Sequence, residues 1–296
     1  MSTEQFHPDL RKRARFLPRQ VVSETTLPVI RGLQALSSLR RSRDVERVSL
    51  DAGVRVRLFR PSSSSARVPA LLWIHGGGYV SGRAQLDDAL CRRFADRLGI
   101  VVASVDYRLA PEHRFPEPLD DCYRALTWLV EHPTVDPARV AIGGGSAGGG
   151  LAAALALLVR DRGPIAPVLQ LLLYPMLDDR TSTEPDHARY RLWNARSNRM
   201  GWAAYLGDAD PDVAVPARRQ NLAGVAPAWI GVGTRDLFHD EDLAYAERLR
   251  QAGVPCDVEV VPGAFHIFDI VAPSAPVSQS FFARQSDSLR TAFATD

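Results

Sequence analysis

Residues 140–150 read VAIGGGSAGGG, and this stretch gives the clearest indication of the fold. A short apolar run leads into Gly144-Gly145-Ser146-Ala147-Gly148, which is a G-x-S-x-G pattern. In a nucleophile elbow of this kind the serine occupies a strained turn between a strand and a helix. Small residues two positions away on either side let the backbone fold back sharply. The sequence therefore predicts a strand, a sharp turn at Ser146 and a helix.

The same region offers two competing interpretations. Residues 140–159 form an uncharged run of twenty residues, which is long enough for a membrane span. Six glycines within the run argue against a span and favour a strand, a turn and a packed helix. The following residues are strong helix formers, so Ser146 would lie at a helix N-terminus, where free N–H groups favour developing negative charge. On its own the pattern does not distinguish a catalytic serine from an ordinary turn.

Composition limits the classes of protein that need consideration. The chain has 296 residues, 46% of them hydrophobic and 24% charged, which is typical of a globular protein. Its formal charge of +2 is too small to suggest a nucleic-acid partner. The first twenty residues lack the apolar core of a signal peptide, so we expect a cytoplasmic location.

The three cysteines are odd in number, far apart and without metal-ligand spacing. They predict free thiols rather than a disulfide framework or a zinc site. Cys91 and Cys122 fall in predicted helices and are expected to be buried, whereas the sequence does not predict the burial of Cys256, which stands at a strand entrance beside Asp257.

The order of predicted elements favours an α/β fold. The runs 45–50 and 54–58 largely alternate apolar and polar residues, which predicts an antiparallel hairpin. Short apolar strands then alternate with helical stretches, the pattern of a mostly parallel sheet flanked by helices on both faces. The predicted strands are 70–74, 100–106, 139–142, 168–174, 228–232 and 257–261, and the predicted helices are 87–98, 118–131, 147–162, 240–252 and 278–293.

Two segments do not fit this alternation. Residues 1–42 carry apolar side chains at near-helical spacing. A second segment, at about 177–216, is rich in Arg, Asp and aromatic residues. An insertion of this size in a compact domain is more often a lid or binding element than an idle loop. We expect both segments to form a helical cap on one α/β domain that spans 43–296.

A glycine-rich loop follows directly after the predicted strand 70–74. It reads His75-Gly76-Gly77-Gly78-Tyr79. Consecutive glycines let backbone N–H groups turn toward one point, so the loop can supply half of an oxyanion hole, and the N–H of Ala147 would supply the other half. Taken alone the loop is equally well explained as a flexible turn. The glycine-rich loop and the G-x-S-x-G pattern follow one another in the chain order that an α/β-hydrolase sheet requires.

A serine nucleophile needs a histidine base, and the chain order in this fold is serine, acid, histidine. Three histidines follow Ser146 in the sequence: His187, His239 and His266. His187 lies in the insertion, and His239 lies too close in sequence to the acid that ends the preceding strand. His266 follows the last predicted strand, at the sheet edge where such folds build their sites.

The acid should follow the preceding strand in the same way. Residues 228–234 lead directly to Asp236, which we predict to orient the histidine. Asp240 and Asp242 are better interpreted as charges at the start of a helix, where the helix dipole favours them.

The sequence resembles the hormone-sensitive lipase family of α/β-hydrolases, the bacterial family IV esterases. The resemblance rests on HGGG at 75–78, DYRLAPEHRFPEPLDD at 106–121, the elbow at 144–148, DLFHDEDLAYA at 236–246 and the histidine at 266. It implies Ser146 as nucleophile, His266 as base and then acid, and Asp236 as its partner. It also implies that Gly77, Gly78 and Ala147 donate hydrogen bonds to the oxyanion.

Two positions depart from the pattern of many family members. Gly145 stands where an acidic residue often precedes the nucleophile, and Ile267 stands where a glycine often follows the histidine. We expect these changes to alter rate or substrate preference. Arg108, Glu112 and Asp121 in the long matching stretch are interpreted as structural charges that hold their loop.

These observations predict a serine carboxylesterase that cleaves short- to medium-chain esters through an acyl-enzyme, with no metal or organic cofactor. The expected partner is a small ester substrate, without nucleic acid or stable membrane association, and a homo-oligomer is left open. Two alternatives remain. One is an amidase or lactonase with the same catalytic groups. The other is a non-catalytic binding protein on a hydrolase scaffold, like the plant hormone receptors that resemble this family.

Overall fold

Eight strands form one sheet in the computed structural model, which describes residues 5–37, 45–61, 67–181 and 189–294. Their spatial order is β1-β2-β4-β3-β5-β6-β7-β8. The β1–β2 and β2–β4 pairs are antiparallel, and the other neighbours are parallel. The strands are β1 (Glu46–Ser49), β2 (Arg55–Phe59), β3 (Val68–Ile74), β4 (Val101–Asp106), β5 (Val135–Gly145), β6 (Gln170–Leu173), β7 (Ala228–Arg235) and β8 (Cys256–Phe265).

Helices cover both faces of the sheet. They are α1 (Arg11–Ala14), α2 (Leu27–Ser37), α3 (Asp88–Leu98), α4 (Glu117–Glu131), α5 (Ala147–Arg162), α6 (Ala195–Leu206), α7 (Pro211–Ala214), α8 (His239–Gln251), α9 (Phe268–Val271) and α10 (Pro276–Ala294). Short 3-10 turns occur at Pro8–Leu10, Asp51–Gly53, Ala84–Asp87 and Pro216–Arg218. The predicted α/β class, the hairpin and the alternation of strands and helices are confirmed.

The core lies in two layers, one on each side of the sheet. Along β3 the side chains alternate, so Leu72 joins the layer under α4, α5 and α8, whereas Leu71 joins the layer under α3 and α10. Both layers are buried, which explains why the central parallel strands are apolar along their whole length. Helix α5 is buried on nearly every side, because it packs between β5, β6 and α4.

Residues 140–159 form the end of β5, a turn and most of α5, so the interpretation as strand, turn and packed helix is confirmed. Across the described ranges, none of the helices combines the length and the hydropathy that a bilayer crossing requires. The three cysteines are unpaired and buried. Cys91 and Cys122 are fully buried, as predicted, and Cys256, which enters β8 beside β7, is buried with 8% of its surface exposed.

Strand β8 is longer than predicted. It continues through Gly263 to Phe265, and a register irregularity opposite Gly233 and Arg235 accommodates the extra length. Gly263 donates its N–H to Thr234 Oγ1 at 2.8 Å. The predicted loop before His266 is therefore extended strand, and His266 follows it immediately at the carboxyl edge of the sheet.

The N-terminal segment and the insertion after β6 contact each other at this edge. Val21 donates its N–H to the Leu192 carbonyl at 3.1 Å, and Leu192 donates to the Pro18 carbonyl at 2.9 Å. Ser197 Oγ on α6 donates to the Val22 carbonyl at 2.5 Å. Residues 1–4, 38–44 and 182–188 lie outside the described ranges, so parts of both predicted cap segments, including His187, are not described.

Candidate active site

Ser146 occupies a sharp turn between β5 and α5. Its φ of 57° and ψ of −123° are values that a residue with a side chain rarely adopts. The neighbouring glycines make this turn sterically possible. A Cβ on Gly144 would lie 2.5 Å from the Gly148 backbone, and one on Gly148 would lie 2.1 Å from the Ile74 carbonyl oxygen. The elbow therefore requires glycine at both positions.

Three side chains form a hydrogen-bonded row at this turn. His266 Nε2 lies 3.0 Å from Ser146 Oγ, and His266 Nδ1 lies 2.8 Å from Asp236 Oδ2. Asp236 follows β7, and its other oxygen accepts the N–H of Phe238 at 3.1 Å. With Nδ1–H donated to the carboxylate, Nε2 is left to accept the serine proton. The structure thus brings together the three residues that the sequence singled out.

The row is shielded from water. Ser146, Asp236 and His266 are 5%, 2% and 4% exposed. The Tyr174 and Phe238 rings pack against the imidazole in a T-shaped arrangement, at centroid distances of 5.1 and 5.2 Å. Burial in this apolar cage fixes the ring orientation and strengthens the electrostatic interactions within the row.

The glycine loop after β3 lies directly against the elbow. A Cβ on Gly76 would lie 2.9 Å from the Gly145 oxygen, and one on Gly78 would lie 2.1 Å from the Trp193 ring. Gly77 and Gly78 have φ values of 123° and 64°, which favour glycine. Within the described residues, the N–H groups of Gly77, Gly78 and Ala147 donate to no protein acceptor, so they are available to an oxygen in the site.

His75 holds this loop in place. Its Nδ1 lies 2.8 Å from the Gly76 oxygen, and its ring stacks on Tyr107 at 4.2 Å. Tyr107 in turn donates its hydroxyl hydrogen to the His75 carbonyl at 3.0 Å. Burial lowers the pKa of His75, so the ring is neutral and donates from Nδ1. No role of its own is predictable for His75 from the sequence, where its position inside the HGGG motif is the only available signal.

A cavity of about 360 Å³ opens beside Ser146 and His266. Its walls come from three parts of the chain: the N-terminal segment, the insertion and the sheet edge. Most are apolar, namely Val21, Val22, Trp73, Leu86, Tyr174, Leu192, Trp193, Ile267, Ile270 and Val271. Arg83 and Asp87 are the charged exceptions that sequence reasoning missed, because nothing in their local pattern places them at the cavity.

The remaining candidates lie elsewhere. His239 begins α8 and contacts Asp240 at 2.6 Å, outside the row at Ser146. Arg108 forms a bidentate pair of hydrogen bonds to buried Asp121, at 2.9 and 2.7 Å. Glu112 pairs with Arg31 on α2 at 2.6 Å. In the part of the chain that the structure describes, no group of three or more His, Cys, Asp and Glu side chains is placed to hold a metal ion.

The two departures from the family pattern both lie at the site. A Cβ on Gly145 would lie 3.3 Å from the Tyr174 ring. Ile267 has a left-handed backbone with φ of 55° and ψ of 30°, a conformation in which glycine is unstrained. Ile267 also lines the cavity.

A serine, histidine and aspartate in hydrogen-bonded sequence at the carboxyl edge of a mostly parallel sheet define the α/β-hydrolase class. A family model described as alpha/beta hydrolase fold matches residues 71–270. The chain belongs to this family, and within it to the hormone-sensitive-lipase-like group, the bacterial family IV esterases.

Individual relatives agree with this assignment. Esterase LipI of Mycobacterium tuberculosis is 34% identical over 84% of this chain and 77% of its own length. Carboxylic ester hydrolase LipN of the same organism is 38% identical over 73% of this chain, and the match spans 61% of LipN. Among solved structures, a bacterial heroin esterase is similar over 100% of both chains, with 36% identity and a TM-score of 0.89.

Proposed function

We propose that the protein is a serine carboxylesterase in which Ser146 is the nucleophile, His266 the general base and then acid, and Asp236 the residue that orients the imidazole. The single observation that carries the proposal is the row of two hydrogen bonds from Ser146 through His266 to Asp236, at 3.0 and 2.8 Å. Relatives that are named esterase or ester hydrolase support the same reaction.

In the proposed mechanism, His266 Nε2 takes the proton of Ser146 Oγ as the oxygen attacks the ester carbonyl. The carbonyl oxygen becomes an oxyanion that accepts hydrogen bonds from the N–H groups of Gly77, Gly78 and Ala147. Ala147 is the first residue of α5, so the helix dipole adds to this stabilisation. The imidazolium then protonates the departing alcohol, and a water activated by His266 releases the acid from the acyl-enzyme.

The cavity supports small ester substrates. A volume of about 360 Å³ is at the lower end of the range for ligand pockets and suits short- to medium-chain acyl groups. We also propose that the N-terminal segment and the insertion act as a cap on the domain 43–296, because both line the cavity and bond to each other. The unpaired cysteines agree with the cytoplasmic location that we propose.

Two other functions use the same geometry differently. An amidase or lactonase would need the same row and oxyanion donors, and the ester preference rests on the names of the relatives. A non-catalytic binding protein is disfavoured, because a hydrogen-bonded serine, histidine and aspartate row is the feature that such proteins would lose.

Labelling with a fluorophosphonate probe tests the proposal. We expect the wild type and the control Ser280→Ala, on the exposed face of α10, to be labelled, and Ser146→Ala to remain unlabelled. Hydrolysis of p-nitrophenyl esters should be fastest for short and medium acyl chains and should be lost in Ser146→Ala. A folded wild type that is neither labelled nor active would contradict the assignment, and a preference for the longest chains would contradict the substrate range.

A further inference from the structure

Asp87 places a carboxylate in the wall of the catalytic cavity. It ends the 3-10 turn Ala84–Asp87, just before α3, and lines the same cavity as Ser146. Its Oδ2 accepts a hydrogen bond from Trp73 Nε1 at 2.8 Å. Trp73 lies on β3, and it also lines the cavity. The indole therefore fixes the direction in which the carboxylate is presented to the cavity.

No cation neutralises this carboxylate within the described ranges. The next residue, Asp88, is paired with Arg57 on β2, with Nε to Oδ1 at 2.6 Å. Arg83 lines the same cavity but makes no ion pair with Asp87, and it also borders two depressions on the far side of the turn. Asp87 is thus an unpaired anion in a wall that is otherwise mostly apolar.

The surroundings disfavour the charge on Asp87 in the absence of a ligand. Burial raises its pKa to about 6, the hydrogen bond from Trp73 opposes this, and the nearby carboxylates of Asp269 and Asp88 add to the increase. The charged and titratable groups around it are Asp88 and Cys91 on α3, Arg57 on β2, Arg83 before the turn, Tyr107 after β4, Asp269 on α9 and Tyr174 after β6. Asp87 is still mainly ionised at neutral pH, and a bound cation would supply the missing counter-charge.

We propose that Asp87 is a specificity-determining residue that binds the cationic nitrogen of ester substrates bearing an ammonium group. This inference rests on the proposed esterase function and narrows its substrate class. The carboxylate supplies the ion pair, and the aromatic side chains of Trp73 and Tyr174 line the same cavity, where an alkylammonium group can contact them. Because the same cavity holds Ser146, the cation and the scissile ester would belong to one molecule.

Matched substrate pairs test the proposal. In the first pair, acetylcholine is compared with its neutral isostere, in which carbon replaces nitrogen. In the second pair, the p-nitrophenyl ester of trimethylammonio-butyrate is compared with its carbon isostere. The first pair places the cation in the alcohol part and the second places it in the acyl part. We expect the wild type to have a higher kcat/KM for the cationic member of at least one pair. Asp87→Asn, which can still accept the Trp73 hydrogen bond, should reduce that preference by roughly tenfold.

The dependence on pH provides a readout that needs no variant. The ratio of kcat/KM values within a pair cancels every effect of pH that the two substrates share. In the wild type this ratio should rise as the pH increases through about 6, as Asp87 ionises. In Asp87→Asn it should be independent of pH. Asp96→Asn, which removes an exposed charge from the neighbouring helix α3, should behave as the wild type does.

Equal kcat/KM values within both pairs in the wild type would overturn the proposal, and so would a preference that is unchanged in Asp87→Asn. A wild-type ratio that does not vary with pH would do the same. Failure of the esterase function itself is distinguishable, because it would abolish turnover of the neutral esters and labelling by the fluorophosphonate probe.

Discussion

Backbone strain is concentrated around the cavity. Six described residues other than glycine have positive φ, and four of them, Ser146, Tyr174, Leu192 and Ile267, line the cavity. Such conformations cost about 1–3 kcal/mol each and persist only where the surrounding structure enforces them. Two of these strained residues are Ser146, the proposed nucleophile, and Ile267, which directly follows the proposed base. Their positions agree with the site that we propose.

The proposed role of Asp236 leads to a sharp prediction. In Asp236→Asn the side-chain oxygen can still accept the N–H of Phe238, but the amide would donate to His266 Nδ1. The histidine would then carry its proton on Nε2 and could not accept one from Ser146. We expect kcat to fall by roughly 10³- to 10⁴-fold with the fold retained. Steady-state kinetics and thermal unfolding measure the two effects separately.

Asp257→Asn is a suitable control, since this residue lies on β8 at the opposite end from His266. It should leave kcat within about twofold of the wild-type value, as expected of a surface substitution. If Asp236→Asn retained most of the wild-type kcat, the carboxylate would not orient the base.

The helices and strands that could be predicted were those with a clear hydrophobic periodicity or a recognisable sequence motif. The glycines around Ser146 predicted the start of α5 at Ala147, and the structure has this boundary. The end of β8 was missed because Gly263 resembles a turn signal, yet its positive φ is accommodated in the strand. Gln34, which lines the cavity from α2, could not be placed, because helical periodicity does not show which surface a helix contacts. The same holds for Leu192 and Trp193, which line the cavity just before α6.

Arg31 attaches helix α2 to the domain through three hydrogen bonds. Its Nε donates to the Val80 carbonyl at 2.7 Å, and one terminal nitrogen donates to the Ala110 carbonyl at 2.5 Å. The other terminal nitrogen contacts Glu112 at 2.6 Å. Gln34, one turn further along α2, accepts the N–H of Gly82 at 3.0 Å and lines the cavity. Loss of the arginine should therefore loosen one wall of the cavity while the sheet stays intact.

We expect Arg31→Ala to raise KM by roughly three- to tenfold, because bonds from a charged donor to two carbonyls are lost. The value of kcat should change little, since the proposed catalytic row lies on the sheet. Limited proteolysis should cut the N-terminal segment faster than in the wild type. Glu112→Gln keeps both carbonyl bonds and is the matched control, with a smaller effect on KM. An unchanged KM in Arg31→Ala would show that α2 is held by other contacts.

At the scale of the whole molecule, the apolar pattern of the strands was enough to predict a mostly parallel sheet with helices on both faces. The pattern did not reveal which polar residues are buried. Asp242 lies in the first turn of α8, as predicted, but it is 0% exposed, and within the described residues its carboxyl oxygens have no hydrogen-bond partner. Its neighbour Glu241 is also buried. The burial of these two acids becomes visible only from the packing of α8 against β7 and the insertion.

These two acids should make stability depend on pH. Glu241 Oε1 accepts the N–H groups of Leu177 and Asp178 at 2.7 and 3.1 Å, and burial raises its pKa from 4.5 to about 8. Burial also raises the pKa of Asp242, and the charge of Glu241 adds to that effect. Between pH 4.5 and 8 the folded protein holds more protons at Glu241 than the unfolded chain does. The stabilisation from protonated Glu241 is therefore complete below pH 4.5 and is lost as pH rises through about 8.

The melting temperature of the wild type should consequently fall as pH rises across this window. Glu241→Gln keeps the oxygen that accepts the two N–H groups and cannot ionise. Across this pH window, the melting temperature of Glu241→Gln should therefore fall by a few degrees less than that of the wild type. A shift of this size is expected from a difference of ~1 kcal/mol in the free energy of unfolding for a chain of this length. Some dependence will remain because Asp242 still titrates. Glu247→Gln, on the exposed face of the same helix, should follow the wild-type curve. Identical pH dependence in Glu241→Gln and the wild type would show that folding does not raise the pKa of Glu241.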